Sequence, residues 1–306
     1  MELINSNFIF NEGHAEQYKK QGFVKLEGIF SNELTDYLSA RMNDELVVPT
    51  DPYQKGFEKL RYDLCNSDKM IFDLIGSKVF KDILLKISGE NMFFTQGVGF
   101  NLKKNVGTGF VWHIEEQSFG FNRAEDSSIS LWVPLTPIEG AKQGGGMRYV
   151  PRDIISGRYF YDYISPAVFN MMSDKIAGEG IAFDDYVALR DEPLNSSGIK
   201  RLLEHNSVAE DFNIGDALFF DKDVIHRSDV LRDGPLETRD AFTLRFIAES
   251  SRYDKKRSRD VEIPRNYYGY EGPTKFHLDV CKDDGELIID SKLFDSDREK
   301  RLIRAA

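Results

Sequence analysis

Met92–Lys103 reads MFFTQGVGFNLK, and it divides the chain. Upstream, apolar residues recur at helical spacing. From this stretch onward they come in short β-branched or aromatic runs, separated by glycine, proline or polar turns. Strands are expected over Met92–Lys103, Phe110–Gln117, Ser128–Leu135, Gly146–Val150, Asp216–Phe220, Val224–His226 and Arg239–Ala248. Helices followed by such a run predict a mainly β fold with flanking helices, a jelly roll of about eight strands.

Working outward, His14–Gln21 reads as a short helix ended by Gly22 and followed by an extended Phe23–Leu26. Ser31 is a good N-cap, and Leu34, Tyr37, Leu38 and Met42 predict a helix over 32–46. Residues 47–66, with Pro49, Asp51, Pro52 and Gly56, read as loop, and 67–88 as one helical region stopped by Gly89. Between Pro151 and Ser207 the strand pattern breaks, and this insertion (152–207) is too long for a plain hairpin loop. Tyr159, Phe160, Tyr161, Phe169 and Met172 make it strongly aromatic, so it reads either as a substrate lid or as a flap packed by its own rings. The extension 251–306 is charged, with a helix expected from about Asp295. One domain over 1–306 is expected: a helical part at 12–90, a barrel at 92–250 and the extension.

The 306 residues are 41% hydrophobic and 30% charged, an ordinary globular composition. A net charge of −11 disfavours sequence-independent nucleic-acid binding, which needs a basic surface. No apolar run approaches the roughly 18 residues of a membrane span, and Met1–Asn11 lacks the pattern of a secretion signal. Cys65 and Cys281 lie far apart without metal-binding spacing, which reads as two free thiols in a reducing cytoplasm. The expected partner is therefore a small molecule, with neither nucleic acid nor membrane involved, and the chain a monomer or homodimer.

Val111-Trp112-His113-Ile114-Glu115 carries the chemistry. In an extended segment, side chains two apart share a face. An imidazole and a carboxylate then stand side by side, with Trp112 and Ile114 behind. His226, at the end of Val224-Ile225 and more than a hundred residues later, sits where a third ligand would be expected. Two histidines and one carboxylate form the facial set that binds iron(II) and leaves positions open; a satisfied core histidine is the alternative. His205 reads as a solvated loop residue, and His14 and His277 as structural or exposed.

In the last strand Phe242, Leu244 and Phe246 share one face and Arg239, Ala241, Thr243 and Arg245 the other. An arginine fork on a cavity face suits a dicarboxylate; two solvated arginines are the alternative. Ser128–Val133 divides the same way: Ser128, Ser130 and Trp132 face the cavity, Ile129, Leu131 and Val133 the packing layer.

Four stretches together resemble the phytanoyl-CoA dioxygenase family of iron(II)- and 2-oxoglutarate-dependent oxygenases. They are Tyr18–Phe30 (YKKQGFVKLEGIF), Asn101–Glu115, Ser130–Pro151 (SLWVPLTPIEGAKQGGGMRYVP) and Gly215–Phe246, within about residues 15–248. The resemblance implies a double-stranded β-helix, a cupin-like jelly roll, with iron near one mouth. It implies His113, Glu115 and His226 as iron ligands and Arg239 as the residue holding the far carboxylate of 2-oxoglutarate, with Arg245 as fallback. Gln96, Asn101 and Ser130 fall on strands that contribute cosubstrate contacts in similar enzymes.

Iron(II), 2-oxoglutarate and dioxygen are thus the implied cofactor and cosubstrates. The implied reaction is oxidation of an unactivated C–H bond, by hydroxylation, desaturation or ring closure. A moderately hydrophobic small molecule, in specialised-metabolite biosynthesis, is the expected substrate, with Trp132 and the five insertion residues near it. Two departures stand out. The ligand is Glu115 where the family usually has aspartate, and Pro151-Arg152-Asp153 replaces its P-G-S-H segment. A carboxylate in the ligand pair argues against halogenation. The rival readings are a jelly-roll binding protein without oxygenase activity and a cupin-like metal enzyme, such as an isomerase, that does not use 2-oxoglutarate.

Overall fold

The computed structural model describes residues 2–49, 56–106, 109–269 and 274–304. Its first helix, α1 (Glu12–Gln21), is closed by a reciprocal cap in which Asn11 and His14 each accept the other's backbone N–H. Gly22 ends it at φ 82°, a left-handed conformation that suits glycine. β1 (Phe23–Leu26) follows, then α2 (Asn32–Glu45), N-capped by Ser31.

The loop expected at 47–66 contains a strand, β2 (Lys59–Tyr62). Only Leu60 of its four residues is fully buried, too short an alternation to recognise. Asp51 and Pro52 lie outside the described residues. The single helical region expected at 67–88 is two helices, α3 (Lys69–Gly76) and α4 (Lys78–Ser88). Ser77 is extended (ψ 137°) and caps α4 by accepting the Phe80 N–H at 3.3 Å. Both helices bury apolar residues in one core, so the periodicity runs through a one-residue break.

β3 (Met92–Lys103) has the expected limits. Phe110–Gln117 is not a strand: His113 alone forms a bridge, to His226, and α5 (Glu116–Phe119) starts directly after Glu115. β4 (Ser128–Pro134) and β5 (Met147–Tyr149) precede the insertion. After turns at 152–157 that insertion is mostly helical: a π-type turn at Phe160–Ile164, then α6 (Ser165–Gly178), α7 (Phe183–Asn195) and α8 (Ser197–Asn206). The barrel resumes with β6 (Ala217–Asp221), β7 (His226–Ser228) and β8 (Thr238–Ala248). The extension adds α9 (Lys255–Val261), α10 (Ile263–Tyr268) and α11 (Phe276–Asp279). The charged C-terminal helix is only α12 (Arg298–Arg301), and β9 (Leu302–Ile303) after it pairs with β3.

The large sheet is antiparallel in the order β1-β6-β4-β8-β3-β2, with β9 also on β3; β5 and β7 form the smaller sheet. The period-two pattern then sets two faces. Val24, Leu131, Phe219, Leu244 and Phe246 point outward into a core roofed by α2, α3 and α4. Phe23, Trp132, Leu218 and Phe220 point inward and meet Met147 and Tyr149 of the small sheet. Burying each such side chain contributes about 1.5–3 kcal/mol. Two sheets packed face to face with helices outside make the fold a jelly roll, a double-stranded β-helix. Among the described residues, no helix is long and apolar enough to cross a membrane. Cys65 and Cys281 are both free.

Candidate metal and cosubstrate site

The backbone brings the two histidines together. The N–H of each donates to the carbonyl of the other, both at 2.9 Å, and their ring centroids lie 4.1 Å apart. His113 Nδ1 lies 2.7 Å from the Val111 carbonyl, and His226 Nδ1 lies 2.8 Å from that of Val224. A carbonyl only accepts, so Nδ1 carries the proton in each ring and Nε2 keeps its lone pair. Glu115 Oε1 stands 3.4 Å from His226 Nε2. One donor atom from each of His113, Glu115 and His226 lies within 4.8 Å of the others. Such tied-back imidazoles with one carboxylate fit a divalent first-row ion.

The electrostatics agree. Burial and the neighbouring His226 push the His113 pKa down to about 3, which keeps the ring neutral. Burial alone would raise Glu115, but the facing His226 imidazole and the Arg245 charge outweigh it and hold the carboxyl at about 2. Behind the motif, Trp112 and Ile114 join a core with Val150, Leu194 and Ile225. The insertion fastens that side. Trp112 Nε1 donates to Glu204 of α8 at 3.1 Å, and the Trp112 backbone exchanges hydrogen bonds with the Asn195 side chain.

The motif opens on a cavity of about 220 Å³. Its inner wall comes from the sheets: Trp132, Phe220, Arg239, Thr243 and Arg245. Arg239 is 2% exposed, donates Nε–H to the Gly145 carbonyl and lies 5.7 Å from the Trp132 ring. Among the described residues no carboxylate comes within ion-pairing distance of it. Burial, only partly offset by the charge of the adjacent Asp240, lowers its pKa to about 10. Arg245 is engaged instead, donating to Gln96 Oε1 at 2.6 Å and approaching Glu115 Oε2 at 3.9 Å. Ser130 pairs across the sheet with Arg245 and its buried hydroxyl has no partner, but it is not part of the cavity wall. Neither are Gln96, which also binds Asp63, nor Asn101, which binds the Asp240 side chain.

The outer wall comes from the insertion and the extension. Of the aromatic candidates there, Phe160 and Phe169 line the cavity. Tyr159 does not: it is 61% exposed and its ring lies tilted against Tyr163. Tyr161 is fully buried behind the cavity, 4.4 Å from the Arg257 guanidinium, and Met172 belongs to a separate core with Tyr186 and Ile263. Helical geometry turns successive side chains about 100° apart, so neighbouring aromatics cannot all face one cavity.

The sequence reading missed several wall residues: Glu116, Arg190, Glu262, Arg265 and His277. Glu116 follows Glu115 and would face away from it in a strand; the start of α5 turns it inward. Burial, only partly offset by Arg257 3.4 Å away, raises its pKa to about 8. His277, read as structural or exposed, is a wall residue near Glu262, with 3.7 Å between Nδ1 and Oε1. Nothing in its sequence surroundings marks it.

No family model and no curated protein matches the chain. Solved structures do. The non-heme alpha-ketoglutarate-dependent carbocyclase SnoK from nogalamycin biosynthesis is 14% identical with a TM-score of 0.61, over 94% of this chain and 96% of that one. The epimerase SnoN, solved with Fe3+, alpha ketoglutarate and nogalamycin RO, is 14% identical with a TM-score of 0.56, over 79% of this chain and 85% of that one. EctD from S. alaskensis with bound Fe is 17% identical with a TM-score of 0.53, over 83% of this chain and 82% of that one. At such identities the likeness establishes the jelly-roll fold that this chain shares with iron- and 2-oxoglutarate-dependent oxygenases.

Proposed function

We propose that the chain is an iron(II)- and 2-oxoglutarate-dependent oxygenase, related to the phytanoyl-CoA dioxygenase group. One observation carries the reading. Two imidazoles with Nδ1 tied to backbone carbonyls and one carboxylate converge on the wall of a cavity. The same cavity holds a buried arginine that forms no ion pair with any described residue. The solved structures with this fold that contain Fe, in SnoN together with alpha ketoglutarate, support it.

Iron(II), 2-oxoglutarate and dioxygen bound here supply oxidation of an unactivated C–H bond. The residues of the chain do the rest. Nε2 of His113 and His226 and the Glu115 carboxylate hold the ion. Arg239 takes the far carboxylate of 2-oxoglutarate from the inner wall. Phe160 and Phe169 shape an apolar space that excludes water and positions a carbon of the substrate. That wall, with polar groups spaced along it, suits a moderately hydrophobic small molecule of the specialised-metabolite kind. A cytoplasmic protein, monomeric or dimeric, is consistent with this reading.

The test is succinate formation from 2-oxoglutarate with iron(II) in air, with a mixture of candidate metabolites and mass spectrometry of products. Succinate should form, and His113→Ala and His226→Ala should each abolish it. Metal binding without succinate would favour a cupin-like enzyme of another class.

A further inference from the structure

Glu115 divides its two oxygens between two neighbours. Oε1 faces His226 Nε2 at 3.4 Å, within the group of donor atoms. Oε2 is buried, has no hydrogen-bond partner and has the Arg245 guanidinium 3.9 Å away. Arg245 is itself only 4% exposed and its other terminal nitrogen is fixed by Gln96 Oε1 at 2.6 Å. The Gln96 amide passes the restraint on, since its Nε2 donates to Asp63 Oδ1 at 2.8 Å. Both ends of that amide are thereby fixed, and its orientation follows.

Asp63 sits in the left-handed region at φ 59°, in the turn after β2. Asn66 holds that turn by donating to Asp63 Oδ1 at 3.0 Å and accepting the Gly97 N–H at 2.7 Å. The C-terminus braces it further. Arg301 of α12 donates to the Asn66 carbonyl at 2.6 Å, while Asp297 receives both the Arg301 side chain and the Ser67 hydroxyl.

A continuous polar chain therefore runs from the candidate metal carboxylate, through Arg245, Gln96 and Asp63, to a turn clamped by the C-terminal segment. Resting on the iron site proposed above, we propose that Arg245 is a positioning residue for Glu115, with Gln96 and Asp63 as its support. It draws Oε2 away, so that the glutamate offers Oε1 alone to the ion. The extra methylene of glutamate adds a rotatable bond that an aspartate ligand lacks, and this contact restrains it. Arg239 and Arg245, six residues apart on one strand face, then serve different partners: the one without an ion pair the cosubstrate, the one beside Glu115 the ligand.

Cobalt(II) is the probe, because its visible ligand-field bands report coordination geometry. Dissociation constants for cobalt(II), and for 2-oxoglutarate on the cobalt-loaded protein, are measured for wild type, Arg245→Met, Arg245→Lys, Gln96→Leu and Arg239→Met. Arg245→Met should weaken cobalt binding by about 10–100-fold, the usual cost of losing an outer-shell partner, and shift the bands. Arg245→Lys should recover part of the affinity, since it returns the charge without the fork. Gln96→Leu should move both readouts in the same direction by less. Arg239→Met should weaken 2-oxoglutarate and leave the bands of the cosubstrate-free protein unchanged. Should Arg245→Met fail to fold, Gln96→Leu carries the same test. Unchanged cobalt affinity and bands in the variants would overturn the proposal, as would an Arg245→Met defect confined to 2-oxoglutarate. Wild type that binds no cobalt, or binds it equally after His226→Ala, would overturn the metal site itself and this role with it.

Discussion

The inner and outer walls of the cavity are built on different principles. The inner wall belongs to paired strands, where pairing fixes each side chain: Trp132 opposes Thr243, and Arg245 is flanked behind the wall by Ser130 on one side and, after a register shift in β3, by Gln96 on the other. The outer wall belongs to short helices from the insertion and the extension, which enclose the cavity through Phe160, Phe169, Arg190 and Glu262. A strand cannot move one residue without exchanging its faces. Helix surfaces carry no such constraint. The inner wall is therefore suited to an invariant cosubstrate, and the outer wall to whatever the substrate requires.

The comparison can be broken from either side. The largest effect belongs to the sheet's outer face. Leu131→Ala, at a fully buried position, should cost about 2–5 kcal/mol in a urea titration, as large-to-small core changes do. A loss below 1 kcal/mol would mean that the face is not close-packed. Next comes Arg239→Ala, which should raise the 2-oxoglutarate Kd by roughly 10–100-fold, the equivalent of about 1.5–3 kcal/mol for a charged hydrogen-bonded contact. Calorimetry on metal-loaded protein reads it. The same defect in Arg245→Ala, with Arg239→Ala silent, would reverse the two roles.

A smaller effect distinguishes Glu116. Its folded pKa of about 8 lies above the ordinary 4.5. The unfolded chain therefore loses this proton first, and metal-free stability should fall as pH rises from about 4.5 to 8. Glu116→Gln should remove that part of the slope, gaining on wild type at pH 8 relative to pH 5. Parallel curves for the two proteins would contradict the buried placement. The smallest effect is expected at Tyr159, whose exposed ring touches Tyr163 and not the cavity. Tyr159→Ala should change stability by no more than about 0.5 kcal/mol and leave product identity unchanged. Phe169→Ala, at the wall, should change the product profile.

The same division decides what the sequence could reveal. β3, β4 and β8 emerged nearly to the residue because alternation and turn residues mark them, and their faces follow from parity. His113, Glu115 and His226 were legible as a set because two of them share a three-residue motif and the third ends a short apolar run. The segment around them resembles a strand in sequence, since Trp112 and Ile114 alternate with His113 and Glu115, yet only His113 pairs. The insertion was recognised by its length but not as helices. α6 opens on a π-type turn without a side-chain cap, and α7 contains Pro193 near its end, so Pro166 and the Asp184-Asp185 pair in their first turns were the only boundary marks there. Glu262, Arg265 and His277 could not be read as site residues, since only tertiary packing brings the extension against the cavity.

The central claim is that His113, Glu115 and His226 hold iron(II) in a form that 2-oxoglutarate can chelate. Visible absorption of the iron(II)-loaded protein, titrated with 2-oxoglutarate without oxygen, tests it most directly. Chelation through the 2-oxo and carboxylate groups should produce a metal-to-ligand charge-transfer band that saturates at one equivalent and is lost in His226→Ala. No band in wild type despite bound iron, or an undiminished band in His226→Ala, would contradict it.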